Sequence, residues 1–134
     1  MTHRERVAAF LVKFANLGQL EFEAIDQHGY GSIKRGGVTL GVNVLEERSV
    51  LLLLAPIMPL PKKGAEALYR RLLELNLLQT SDAAFAIDPE RSVIFARAMR
   101  RLDGLDFDEF RDLCESVASV AETWREKLRA EATE

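Results

Sequence analysis

Residues 74–99 read ELNLLQTSDAAFAIDPERSVIFARAM. A leucine-rich helical stretch runs into a polar break, and two short apolar segments follow, joined by DPER. Asp88 and Pro89 fit the first two positions of a type I turn, so AAFAID and SVIFARAM are predicted to pair as a hairpin. A helix that feeds directly into a hairpin gives an α+β pattern with antiparallel pairing.

Before this stretch, Thr2 and Glu5 have capping-box spacing. Val7, Phe10, Leu11, Phe14 and Leu17 follow as a helical stripe, and Gly18 offers a stop. QLEFEAIDQ reads as a strand with Phe22 and Ala24 on one face. HGYGSIKRGG reads as a turn, a short strand and another turn. VTLGVNVLEE alternates, with Val38, Leu40, Val42 and Val44 on one side and Thr39, Gly41 and Asn43 on the other. EERS is a turn. VLLLLAPI is apolar at every position, the pattern of a strand covered on both faces. Pro61 suits the first turn of a second helix, where Ala65, Leu68, Tyr69, Leu72 and Leu75 form a stripe. Leu73 and Leu77 widen that stripe, which is the mark of a helix meeting more than one neighbour.

After the hairpin, RLDGLD is a connector. Asp106 and Glu109 again have capping spacing. Phe110, Leu113, Cys114, Val117, Ala121, Trp124 and Leu128 keep a helical stripe almost to the end. The expected order is α-β-β-β(-β)-α-β-β-α, a mainly antiparallel twisted sheet with three helices. At 134 residues the expectation is a single domain over residues 1–134.

Composition narrows the function classes. Hydrophobic residues make up 48% and charged residues 29%, as in an ordinary folded protein. The net charge of −3, with no basic run longer than two residues, argues against nucleic acid as a partner. The longest apolar run is far short of the roughly 20 residues a bilayer span needs. The N-terminus has no apolar stretch typical of a signal peptide, and one cysteine fits a reducing compartment. The expected location is cytoplasmic, with no membrane contact.

No catalytic constellation is visible. His3 and His28 sit in a first helical turn and a glycine turn and match no metal-ligand spacing. Cys114 lies on an apolar stripe, where a thiol behaves as a small hydrophobe. GYGSIKRGG lacks the ending of a phosphate-binding loop and leads into no helix. Asp103, Asp106, Asp108 and Glu109 lack calcium-loop spacing and are better explained by helix capping. The expectation is no enzyme activity, no metal and no cofactor. Apolar surface beyond what one core consumes points instead to association.

The run LLELNLLQTSDAAFAIDPERSVIFARAM, followed by LDGLDFDEFRDLCESVASVAETWREKL, resembles the type III secretion chaperones of the Tir-chaperone (CesT) type. The shared pattern is a helix ending in LNLL, a small-residue strand, a second strand, a Leu-Asp connector and an amphipathic helix with a late Trp. The resemblance covers nearly the whole chain. It implies a homodimer that binds the N-terminal region of a secreted effector protein in extended form and keeps it competent for secretion. It implies a dimer interface at Leu52, Leu54, Leu68, Leu72 and Leu75. It implies client binding at Phe10, Phe14, Val42 and Phe95. The alternative reading is a regulatory or adaptor domain of the same fold that binds a folded partner.

Overall fold

The computed structural model of the chain describes residues 1–133. Its elements run α1 (His3–Gly18), β1 (Phe22–Glu23), β2 (Tyr30–Arg35), β3 (Val38–Leu45), β4 (Val50–Pro59), α2 (Ala65–Leu78), β5 (Ala84–Asp88), β6 (Val93–Arg101) and α3 (Phe107–Thr133). The fold is α+β, and the optional fourth strand before α2 is present. The strands form one six-stranded antiparallel sheet in the order β1-β2-β3-β4-β6-β5.

The sheet is built from short connections. β2, β3 and β4 are consecutive hairpins. The helix α2 then carries the chain past β4, so β6 takes the place beside β4 and β5 becomes the outer edge. The DPER turn forms as its residues suggest. Asp88 Oδ1 accepts from the N–H groups of Glu90 and Arg91 at 3.0 and 3.2 Å, an Asx-type turn closing the β5–β6 hairpin.

Helix ends follow local chemistry. The capping box at Thr2 and Glu5 is complete, with both side chains bonding the opposite backbone. α1 runs through Gly18, and the left-handed cap falls on Gln19 (φ 52°, ψ 47°), one residue later than the glycine suggests. The N–H of Leu20 reaches back to the Ala15 carbonyl, which satisfies an orphan acceptor of the last turn. α2 begins at Ala65 after a left-handed Gly64, so Pro61 lies ahead of the helix and not in its first turn. Asp106 Oδ1 accepts from Glu109 N–H at 2.8 Å and caps α3.

The core lies on one face of the sheet. β3 contributes Val38, Leu40, Val42 and Val44; β4 contributes Leu51, Leu53, Ala55 and Ile57; β6 contributes Ile94, Ala96 and Ala98. Val7, Leu11 and Phe14 of α1 and Phe110, Leu113, Cys114, Val117, Ala121 and Leu128 of α3 close over them. The rings of Phe10 and Phe14 meet Phe110 at centroid distances of 5.8 and 6.4 Å, which locks α1 to α3. α2 joins the same cluster through Leu68, Leu72 and Leu75, beside Phe85 of β5.

Two sequence expectations shift. QLEFEAIDQ yields only the two-residue β1: Glu21, Phe22, Glu23 and Ala24 are exposed, and the segment reaches the core only through the half-buried Leu20 and Ile25 at its flanks. β4 is covered on one face, not two. Its residues alternate between buried (Leu51, Leu53, Ala55) and half-buried (Val50, Leu52, Leu54). A register shift between Pro56 and Met58 lets the consecutive Ile57 and Met58 both be buried, while Pro56 stays outside the core.

Candidate functional site: an uncovered apolar surface

Among the described residues, no helix covers the face of the sheet opposite the core. Its grid follows from the register. Leu52 pairs with Asn43 and Met99; Leu54 pairs with Gly41 and Arg97; Pro56 pairs with Phe95. Arg97 in turn faces Ala84, and Phe95 faces Ala86. Leu52, Leu54, Val93 and Phe95 are half-buried and Met99 is 44% exposed. Leu52 lies directly opposite Met99 and Pro56 opposite Phe95, so apolar side chains flank the Leu54–Arg97 pair on both sides.

A second apolar surface lies on α2. Leu73, Leu77 and Leu78 are 72, 79 and 83% exposed, among the most open large apolar side chains in the chain. The two surfaces sit side by side, because α2 is pinned to the β5 edge. Asn76 Oδ1 accepts from Phe85 N–H and Asn76 Nδ2 donates to the Phe85 carbonyl, at 2.8 and 3.3 Å. At its other flank α2 is tied to α3. Arg71 pairs with Glu131 at 3.2 Å, and its guanidinium lies 5.5 Å from the Trp124 ring centre.

The residues expected at a dimer seam separate into two groups. Leu52 and Leu54 lie on the open sheet face. Leu68, Leu72 and Leu75 are only 5, 4 and 3% exposed and belong to the core of the subunit. The physical reason is the width of the leucine stripe: the helix uses its 68–72–75 face against β5 and α3, and presents 73 and 77 outward. The residues expected to bind a client separate too. Phe95 is on the open face. Phe10 is half-buried at the α1–α3 surface, edge-on to Phe107 at 6.1 Å. Phe14 and Val42 are core residues.

Arg97 was not singled out by sequence. Its Nε is buried without a hydrogen-bond partner. The signal was present, since V-I-F-A-R-A-M places one cation at an outward position among apolar ones.

Electrostatics elsewhere are structural. Arg35 Nε donates to Glu115 at 3.1 Å, tying β2 to α3, and this hydrogen bond holds the guanidinium pKa above its ordinary value. Asp26 Oδ1 accepts from the N–H groups of Tyr30 and His28, and the Tyr30 bond chiefly lowers its pKa. Burial pushes the Cys114 thiol well up. Arg4 crosses a hollow of about 600 Å³ near the start of α1, donating to the Gln27 carbonyl at 2.6 Å. Among the described residues, no group of three or more His, Cys, Asp or Glu is placed to hold a metal ion. No helix among them is long and apolar enough to cross a membrane.

Solved structures share this architecture. A chain of the ExsC–ExsE complex matches with a TM-score of 0.75 at 23% identity, covering 96% of this chain and 97% of that one. A chain of the HopA1–SchA chaperone–effector complex matches at 0.70 and 16%, covering 92 and 95%. A chain of the Yersinia pestis structure of the type III secretion chaperone SycH with a fragment of YscM2 matches at 0.61 and 17%, covering 87 and 97%. At these identities the likeness is one of fold. Comparison with curated protein sequences finds no match. The sequence pattern of the Tir chaperone protein (CesT) family spans residues 10–125, across all three helices and all six strands, and the chain belongs to that family.

Proposed function

We propose that this chain is a cytoplasmic type III secretion chaperone. It acts as one domain, forms a homodimer, and holds the N-terminal region of a secreted effector in extended form until export. It performs no catalysis. Family membership supports the reading, as does the likeness to chains whose structures are described as chaperone–effector complexes. The observation that carries it is the apolar surface left open by the subunit: Leu52, Leu54 and Phe95 on the sheet, and Leu73 and Leu77 on α2.

The division of labour follows from shape. A two-fold dimer needs a self-complementary patch, which the adjoining α2 stripe and β4 face supply. An extended client needs many modest apolar contacts spread along a surface, without a deep pocket. Phe10, at the α1–α3 surface, and Phe95 are the accessible aromatic contacts for it; Phe14 and Val42 support them from the core. The ordering cost of an extended client offsets much of the buried area, so broad contact is compatible with release.

The test is capture from native cells under secretion-inducing conditions. The tagged chain is recovered, its partner identified, and the complex digested lightly. One dominant secreted protein, protected along a stretch near its N-terminus, is the expected result. A folded partner held through a compact domain would replace this reading with the adaptor one.

A further inference from the structure

The seam between α1 and α3 carries free positive charge on a chain whose net charge is −3. α1 holds Arg4, Arg6 and Lys13 against the single acid Glu5. None of those three cations has an ion-pair partner among the described residues. Arg4 donates to the Gln27 carbonyl and Arg6 to the Leu102 carbonyl, and the Arg6 Nε is buried without an acceptor. Lys13 is exposed, and its ammonium lies 4.3 Å from the Phe107 ring centre. Arg111 approaches the same ring at 5.7 Å, but Asp108 at 3.4 Å and Asp112 at 3.8 Å already answer its charge. Lys13 is thus the unanswered charge beside the ring.

Arg6, Phe10, Lys13 and Leu17 follow at steps of four, three and four, which places them along one side of α1. Phe10 meets Phe107 at 6.1 Å, and Leu17 is 65% exposed. An apolar side chain seated on Phe10 and Phe107 therefore meets Lys13. Covering an ammonium with an apolar group is costly unless an opposite charge accompanies it. Turning the ammonium away instead forfeits its contact with the ring. A carboxylate next to the apolar side chain offsets both, because the ammonium leaves the ring for a charged acceptor.

We propose, resting on the effector-binding reading above, that the α1–α3 seam selects client segments in which an apolar anchor is flanked by an acidic side chain, and that Lys13 is the residue that reads the acid. Phe10 and Phe107 hold the anchor, and the lysine discriminates among segments of similar hydrophobicity.

The test uses the effector captured as above, with its protected segment produced as a peptide and titrated against the full chain. Circular dichroism checks the fold of each variant. Phe10→Asp should abolish binding, which places the segment at the seam. Lys13→Glu should weaken binding by about 10-fold, and Lys13→Gln by less. Each Asp and Glu of the peptide is then replaced by Lys in turn. One such peptide should bind wild type poorly and bind Lys13→Glu as tightly as the original peptide binds wild type. Binding that survives Phe10→Asp or is unchanged by Lys13→Glu overturns the inference and leaves the chaperone reading standing. So does a Lys13→Glu loss that no exchanged acid restores, since the lysine would then act through packing alone. Capture of a folded partner, or of no secreted protein, overturns both.

Discussion

The side-chain amide of Asn76 brackets the backbone of Phe85, accepting its N–H at 2.8 Å and donating to its carbonyl at 3.3 Å. Asn76 thus stands where another strand would pair with the β5 edge, and it joins α2 to the sheet. Asn76→Ala leaves both backbone groups unpaired where they are half-buried. The expected loss is about 1–3 kcal/mol in urea unfolding. The variant should also aggregate more readily, since an exposed edge recruits other strands. Unchanged stability would mean that water replaces the amide without cost.

Leu72 and Leu73 are adjacent in sequence and opposite in role. Leu72 is 4% exposed and Leu73 is 72% exposed. Leu72→Ala should cost about 2–5 kcal/mol through the cavity it leaves. Leu73→Asp should leave the fold intact by circular dichroism and lower the mass from two chains to one. A Leu73→Asp chain that stays dimeric would remove α2 from the interface.

Gly29 and Gly37 make a backbone contrast. Gly29 is buried at φ +87°, and a Cβ there would lie 2.5 Å from the Val44 carbonyl oxygen. Its own carbonyl accepts the Val44 N–H at 2.8 Å, so the clash falls on a ladder contact. Gly29→Ala should destabilise by more than about 1 kcal/mol. Gly37 has nothing within 4 Å of a Cβ and no positive φ. Gly37→Ala should change stability by less than about 0.5 kcal/mol. Thermal melts of the two variants decide the matter directly.

Cys114 gives the chain a pH dependence on the alkaline side. Burial raises its pKa in the folded state, so the folded thiol keeps its proton where the unfolded one loses it. The stabilisation is whole below the unfolded pKa of about 8.5 and is lost as pH rises above it, at up to about 1.4 kcal/mol per unit. The melting temperature should fall between pH 8.5 and 10.5 with a smaller slope in Cys114→Ala. The native thiol should also resist alkylation until the chain unfolds. Rapid labelling of the folded protein at pH 8 would contradict this placement.

Much of the fold was written locally. The capping box at Thr2, the Asx turn at Asp88 and the cap at Asp106 each depend on residues within three positions of one another, so spacing alone specifies them. The alternation of Val38, Leu40, Val42 and Val44 and the stripe from Phe110 to Leu128 identify core faces, because a period of two or 3.6 has one physical meaning in each element. The family pattern was legible for the same reason: it is a fixed order of such elements.

What the sequence by itself determined is therefore the set of elements, their order, and the absence of any ligand spacing in its motifs. The tertiary structure decided which apolar residues remain available. A leucine at 72 and a leucine at 73 carry the same chemistry, and only the placement of α2 against β5 and α3 buries one and leaves the other outside. β4 is apolar throughout, yet its outer face is open because all three helices gather on the other side or at the edge. Arg97 looks like an ordinary surface arginine until the register sets it between Leu54 and Ala84. Burial is a property of neighbours distant in the chain, and no local period encodes them.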